Sequence, residues 1–134
     1  MATQTGEVRP VTPYDRIGGR EMLQRIADRF YDLMDEDPAY SRLRAMHAPD
    51  LTHMRGSLTG FLSGWSGGPR DWFDANPGKC MMSMHKLFAI DADIAGQWAA
   101  AMRRAIADVA PADGEIAEAL ADVLSRMALG MANA

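Results

Sequence analysis

Residues 78 to 90 read GKCMMSMHKLFAI, so that Cys80, Met81, Met82 and Met84 crowd against a single histidine, His85. Four sulfur-bearing side chains beside one imidazole do not resemble a solvated surface. If residues 79–88 are helical, Met81, His85 and Phe88 stand at i, i+4 and i+7 and share one face, which puts the imidazole in an apolar stripe. Two readings follow. His85 is a core histidine bonded to a backbone carbonyl, or it is a metal ligand through a neutral ring nitrogen, and the spacing does not choose between them.

The kind of metal site is better constrained. Zinc would need His47, His53 and His85 to converge with a carboxylate, and no compact ligand motif joins them. Haem iron needs only one imidazole, and flexible methionines with flat aromatics are the residues a haem-sized slot wants.

Composition narrows the setting. The chain has 134 residues, one cysteine and a net charge of −4. That length suits one domain, expected over residues 1–134 with a loose tail of about residues 1–12. Cys80 alone excludes an internal disulfide framework and fits a reducing, cytoplasmic setting. The acidic balance, without clustered Lys and Arg, argues against general nucleic-acid binding. The N-terminus lacks the basic start and apolar run of a secretory signal, and no uncharged stretch reaches membrane-spanning length, so no membrane partner is expected.

The elements that must position these residues are helical. Past a turn at Gly18 and Gly19, apolar residues at Met22, Leu23, Ile26, Ala27, Phe30, Tyr31 and Met34 mark an amphipathic helix. Asp37 and Pro38 open a short helix that ends before Ala48 and Pro49. Asp50 caps a third, whose stripe reads Leu51, Met54, Leu58, Phe61 and Trp65. Residues 66–78 read as a long Gly- and Pro-punctuated loop containing Trp72 and Phe73. A helix from about Asp93 presents Ile94, Trp98, Ala101, Met102, Ala105, Ile106 and Val109, and a last one, capped by Asp113, presents Ile116, Leu120, Val123, Leu124, Met127 and Met131. The fold class is all-α.

Several short segments carry more than periodicity does: YDRIGG at 14–19, RFYDLM at 29–34, DL at 50–51, FLSGWSGGP at 61–69, MHKLFAI at 84–90 and QWAAAM at 97–102. In this order, with a tryptophan 13 residues after the histidine, the chain resembles a group II truncated haemoglobin over residues 12–132. The resemblance implies a globin-like two-on-two helical sandwich around haem b, iron protoporphyrin IX. It makes His85 the proximal iron ligand, with Met81, Met84, Phe88, Ile90 and Lys86 against the cofactor. Tyr31 and Trp98 become distal hydrogen-bond donors. His47 falls at a corner where relatives carry an aromatic ring or a histidine, while Met54 falls where many globins carry a distal histidine, with Leu58 one turn later. His53 lies beside the stripe and reads as surface.

The implied function is reversible binding of O2, CO and NO. Because firmly held oxygen suits bulk delivery poorly, the resemblance points to NO dioxygenase or peroxidase-like chemistry, or to sensing, served by a reductase, in a monomer or homodimer. The alternative is a six-coordinate redox or electron-transfer haem with Tyr31 or His47 as sixth ligand. Where relatives commonly carry arginines before the proximal histidine, this chain has Cys80, Met82 and Met84, leaving Lys79, Lys86, Arg55 and Arg70 as candidate partners for the haem propionates.

Overall fold

The computed structural model describes residues 11–77 and 89–133, so His85, Met81, Met84, Lys86 and Phe88, with Lys79, Cys80 and Met82, lie outside the described residues. Every regular element among the described residues is helical: α1 (Pro13–Ile17), α2 (Gly19–Glu36), a 3-10 turn (Pro38–Tyr40), α3 (Ser41–Ala45), α4 (Thr52–Trp65), α5 (Asp71–Ala75), α6 (Ala92–Val109) and α7 (Gly114–Gly130). Helix α2 packs on both α4 and α6, and α6 packs on α7. This is a sandwich of two helix pairs.

Glycine makes the first corner. Gly18 and Gly19 have φ of 115° and 73°, left-handed values that carry the chain from α1 into α2 at little steric cost. Helix α1, too short for its period to show in the sequence, is held by a capping box between Thr12 and Asp15. Thr12 therefore already belongs to the folded part. The Tyr14 hydroxyl accepts a hydrogen bond from the Arg20 N–H at 3.1 Å, which locks the corner from outside.

The expected apolar faces are largely the buried ones, with two instructive differences. On α4, Thr59 and Ser63 are buried beside Leu58, Phe61 and Leu62. Their hydroxyls donate to the carbonyls of Arg55 and Thr59, both at 2.8 Å, so these polar groups enter the core already satisfied. On α7 the buried residues are Ala117, Leu120, Ala121, Leu124 and Ala128, while Ile116, Val123, Met127 and Met131 are half-buried. Alanines also fill the buried face of α6 at Ala95, Ala101 and Ala105. Short side chains on both partners let two backbones approach, and the larger residues flank the seam.

The segment expected to be a loop contains a helix. Residues Asp71–Ala75 form α5, whose Trp72 and Phe73 lean on Phe61 with ring centroids at 5.5 and 5.6 Å. Five residues between Pro69 and Pro77 give too short a pattern to read, and tertiary packing supplies the stability that helix propensity cannot. At the other end of the chain, Ile90 and Asn133 exchange two bonds: the Asn133 N–H donates to the Ile90 carbonyl at 2.7 Å, and the Ile90 N–H donates to Asn133 Oδ1 at 2.8 Å. The C-terminal residues thus hold the entry to α6.

Candidate functional site

Tyr31 stands on the inward face of α2 and is 3% exposed. Burial pushes its hydroxyl well above the ordinary phenol value, and the positive charge of Arg55 offsets only part of that rise. The group therefore stays protonated throughout the physiological range and presents an O–H donor.

Two aromatic neighbours define its surroundings. The His47 ring, at the corner after α3, meets the Tyr31 ring edge to face at 5.8 Å between centroids and 77° between planes. On the other side Phe30, which is wholly buried, lies 5.0 Å from Tyr31 and 5.0 Å from Trp98, in both cases edge to face. Phe30 is the bridge by which Trp98, half-buried on α6, joins the cluster. Tyr31 and His47 meet directly; Trp98 is reached through Phe30. On α4, Leu58 is buried, Met54 is half-buried against the core and His53 is exposed. Ile90, just before α6, is buried.

His47 is oriented by its own segment. Its Nδ1 lies 2.9 Å from the Leu43 carbonyl oxygen. A carbonyl can only accept, so this contact requires the proton on Nδ1. The neutral ring then carries its lone pair on Nε2.

The two arginines among the propionate candidates are engaged elsewhere. Arg55 crosses from α4 to α2, where it donates to the Asp28 carbonyl at 3.0 Å and to Asp32 Oδ1 at 2.8 Å. Arg70 lies over the Phe73 ring, 4.6 Å from its centroid. Lys79 and Lys86 lie outside the described residues. Phe30, beside Tyr31 in RFYDLM, reads in the sequence as ordinary core, and only the structure shows that it bridges Tyr31 and Trp98.

The bacterial-like globin family model matches residues 12–133. The chain belongs to this family, as a group II truncated haemoglobin. It is 30% identical over 121 residues to the group 2 truncated haemoglobin YjbI of Bacillus subtilis, a match covering 90% of this chain and 88% of the relative. Among solved structures it is similar to the cold-adapted truncated haemoglobin of Pseudoalteromonas haloplanktis TAC125, with a TM-score of 0.86, 32% identity, and 92% and 98% of the two chains covered. It is also similar to the group II two-on-two haemoglobin of Agrobacterium tumefaciens, with a TM-score of 0.87, 28% identity, and coverage of 95% and 98%. The two-on-two sandwich of α2, α4, α6 and α7 is therefore the truncated-globin fold.

Membership implies haem-based oxygen binding. The chemistry of the described residues is compatible with that group: Phe30, Leu58 and Met54 are apolar and buried or half-buried, and Tyr31 adds a buried hydroxyl. No helix among the described residues is long and apolar enough to cross a membrane.

Proposed function

We propose that this globin reversibly binds O2, CO and NO at the iron of haem b, with His85 as the protein's axial ligand. When bound, haem supplies an iron centre that coordinates diatomic gases. The chain's own contribution is to hold and discriminate them. Tyr31 carries the reading: its hydroxyl is kept protonated by burial, so it offers a hydrogen bond to any ligand that takes up negative charge. The indole N–H of Trp98 is the second donor, and His47 is the third polar group on the distal side. Met54 is a flexible thioether at the entrance, and Leu58 is the apolar wall behind it. Met81, Met84, Phe88, Ile90 and Lys86 are the residues that would contact the cofactor, as the family resemblance implies.

A ligand held by a strong donor leaves slowly, which favours NO or reactive-oxygen chemistry, or sensing, over bulk transport. That chemistry requires a reductase to return the iron to its ferrous state. We place it in a single globin domain spanning residues 1–134, in the cytoplasm, where the lone Cys80 stays reduced. The test is the absorption spectrum of the ferrous protein with and without CO, beside that of His85→Ala. A five-coordinate high-spin ferrous form that shifts on CO addition, and haem loss in the variant, are expected. An unchanged spectrum in His85→Ala would move the axial ligand elsewhere.

A further inference from the structure

Arg44, on α3, has no part in the ligand-binding roles above, yet its guanidinium is more fully engaged than any group around it. Its Nε donates to Asp35 Oδ1 at 2.6 Å, Nη2 donates to the Pro49 carbonyl at 2.9 Å, and Nη1 donates to the Ala48 carbonyl at 3.0 Å and, more weakly, to the His47 carbonyl at 3.5 Å. One planar fork thus gathers three successive carbonyls of the corner and ties them to a carboxylate on α2. The side chain is only 22% exposed. Carbonyls beyond a five-residue helix lack intrahelical donors, and a rigid fork can meet several where a point charge cannot.

The same corner holds His47 twice more. Its backbone N–H donates to the Arg44 carbonyl at 3.0 Å, and its Nδ1–H donates to the Leu43 carbonyl at 2.9 Å. The Leu43 peptide is itself fixed from α6, because its N–H donates to Gln97 Oε1 at 3.1 Å. Gln97 in turn donates through Nε2 to Asp93 Oδ2 at 3.1 Å, and Asp93 pairs with Arg42 at 2.6 Å. The two ends of the corner are therefore anchored to different helices. Gln97 and Arg42 hold its α3 end to α6, and Arg44 holds its far end to α2.

We propose that Arg44 is a positioning residue whose guanidinium clamps the carbonyls of residues 47–49 and so fixes the ring orientation and tautomer of His47 against Tyr31. Its kinetic arm rests on the reading of His47 as part of the ligand pocket; its spectroscopic arm does not.

The test uses the full-length, haem-loaded protein in its diamagnetic ferrous CO form, labelled for nitrogen NMR, with variants Arg44→Met and Arg44→Lys. Both variants should accelerate exchange of the His47 Nδ1–H proton, by on the order of tenfold or more, because opening of the corner no longer breaks the clamp. Arg44→Lys keeps the charge facing Asp35 and guards against a folding failure, since helical content measured by circular dichroism should match the parent. Dissociation of O2 should change about three- to tenfold in Arg44→Met but by less than about twofold when the same substitution is made in a His47→Phe background. Unaltered Nδ1–H exchange in both arginine variants would overturn the proposal. So would an equal and non-zero kinetic effect in the two backgrounds, since Arg44 would then act independently of His47. If exchange accelerates while His47→Phe itself leaves O2 dissociation untouched, the clamp stands and the ligand role of His47 fails.

Discussion

Two aromatic clusters stand in the fold, one on α4 and α5 and the other on α2, α6 and the corner after α3, and they are built on different principles. The one around Phe61, Trp65, Trp72 and Phe73 is closed: its rings stack, tilt or meet edge to face at 5.1 to 6.3 Å, and the Trp72 indole N–H donates to Ser57 Oγ at 3.0 Å. Glycine makes the closeness possible. A Cβ on Gly64 would come within 2.6 Å of the Phe73 ring, and one on Gly60 within 3.0 Å of the Trp72 Cβ. The cluster around Phe30, Tyr31, His47 and Trp98 holds just as many rings, but draws them from α2, α6 and the corner after α3. Its His47 ring is held from its own segment by the Leu43 carbonyl, and the Leu43 peptide is in turn held by Gln97 of α6. Aromatic content alone does not tell the two clusters apart; one joins neighbouring helices α4 and α5, while the other gathers rings from three separate parts of the chain.

The sharpest way to break this contrast is to remove a polar head while keeping the ring. Tyr31→Phe deletes a charge-assisted donor worth about 1.5 to 3 kcal/mol, so O2 dissociation should quicken roughly ten- to a hundredfold, with CO dissociation far less affected. Stopped-flow measurement of both gases decides it, and equal changes for both would make Tyr31 a packing residue. Trp98→Phe should act in the same direction. The double variant should fall short of additivity if both donors serve one ligand.

In the closed cluster the corresponding insult is steric. Gly64→Ala drives a methyl group into the Phe73 ring, and overpacking of this kind costs about 1 to 3 kcal/mol. Urea denaturation of the CO form should register that loss while O2 dissociation stays at the parent value. Gly60→Ala should be milder, since the added Cβ would lie 3.0 Å from the Trp72 Cβ.

Smaller still is the effect of opening the closed cluster's own polar bond. Trp72→Phe and Ser57→Ala each remove one end of a half-buried hydrogen bond, so each should lower stability by about 0.5 to 1.5 kcal/mol. The pair should cost less than the sum of the two, because the second substitution removes a group that the first left unpaired. Full additivity in the denaturation midpoints would show that the bond contributes nothing.

The least effect is expected from the capping carboxylates, which lie on neither cluster. Asp37, Asp91 and Asp113 are held below their ordinary value of 3.8: the first by the Ala39 N–H and then Arg104, the second by Arg42 and then the Ile94 N–H, the third by the Ile116 N–H and then Arg16. A carboxylate whose folded value is depressed adds stability that is complete above the unfolded value and is lost as pH falls through the folded one. Stability should therefore decline below about pH 4, and Asp113→Asn should flatten that decline slightly. Thermal melts between pH 3 and 6 test it, and the distal cluster's gas kinetics at neutral pH should not respond.

Helix positions were legible in the sequence because they depend on local rules. The stripe from Leu23 to Met34, the Asp113 cap and the double glycine after Ile17 each announce themselves within one or two turns of chain. Asp91, not a residue nearer Asp93, opens α6, which is the ordinary one- or two-residue error at a helix end. Helix α5 was not legible, because its stability comes from glycines on α4 that admit its rings. In the cluster around Tyr31, the apolar faces of the helices already placed Tyr31 and Trp98 inward, whereas the bridging position of Phe30 gave no signal beyond apolarity.

What the sequence determined by itself, then, was the all-α class, the truncated-globin family and the residue types on each inward face, since period, caps and motif order need no partner to be read. Only the tertiary structure decided which polar atoms surround Tyr31 and His47. Leu43 and Gln97 meet across 54 residues, Arg55 is drawn to Asp28 and Asp32, and Arg44 reaches carbonyls that any sequence of that corner would possess. Backbone acceptors and long-range ion pairs leave no pattern in residue types. They come into being only when packing brings separate helices to hydrogen-bond distance.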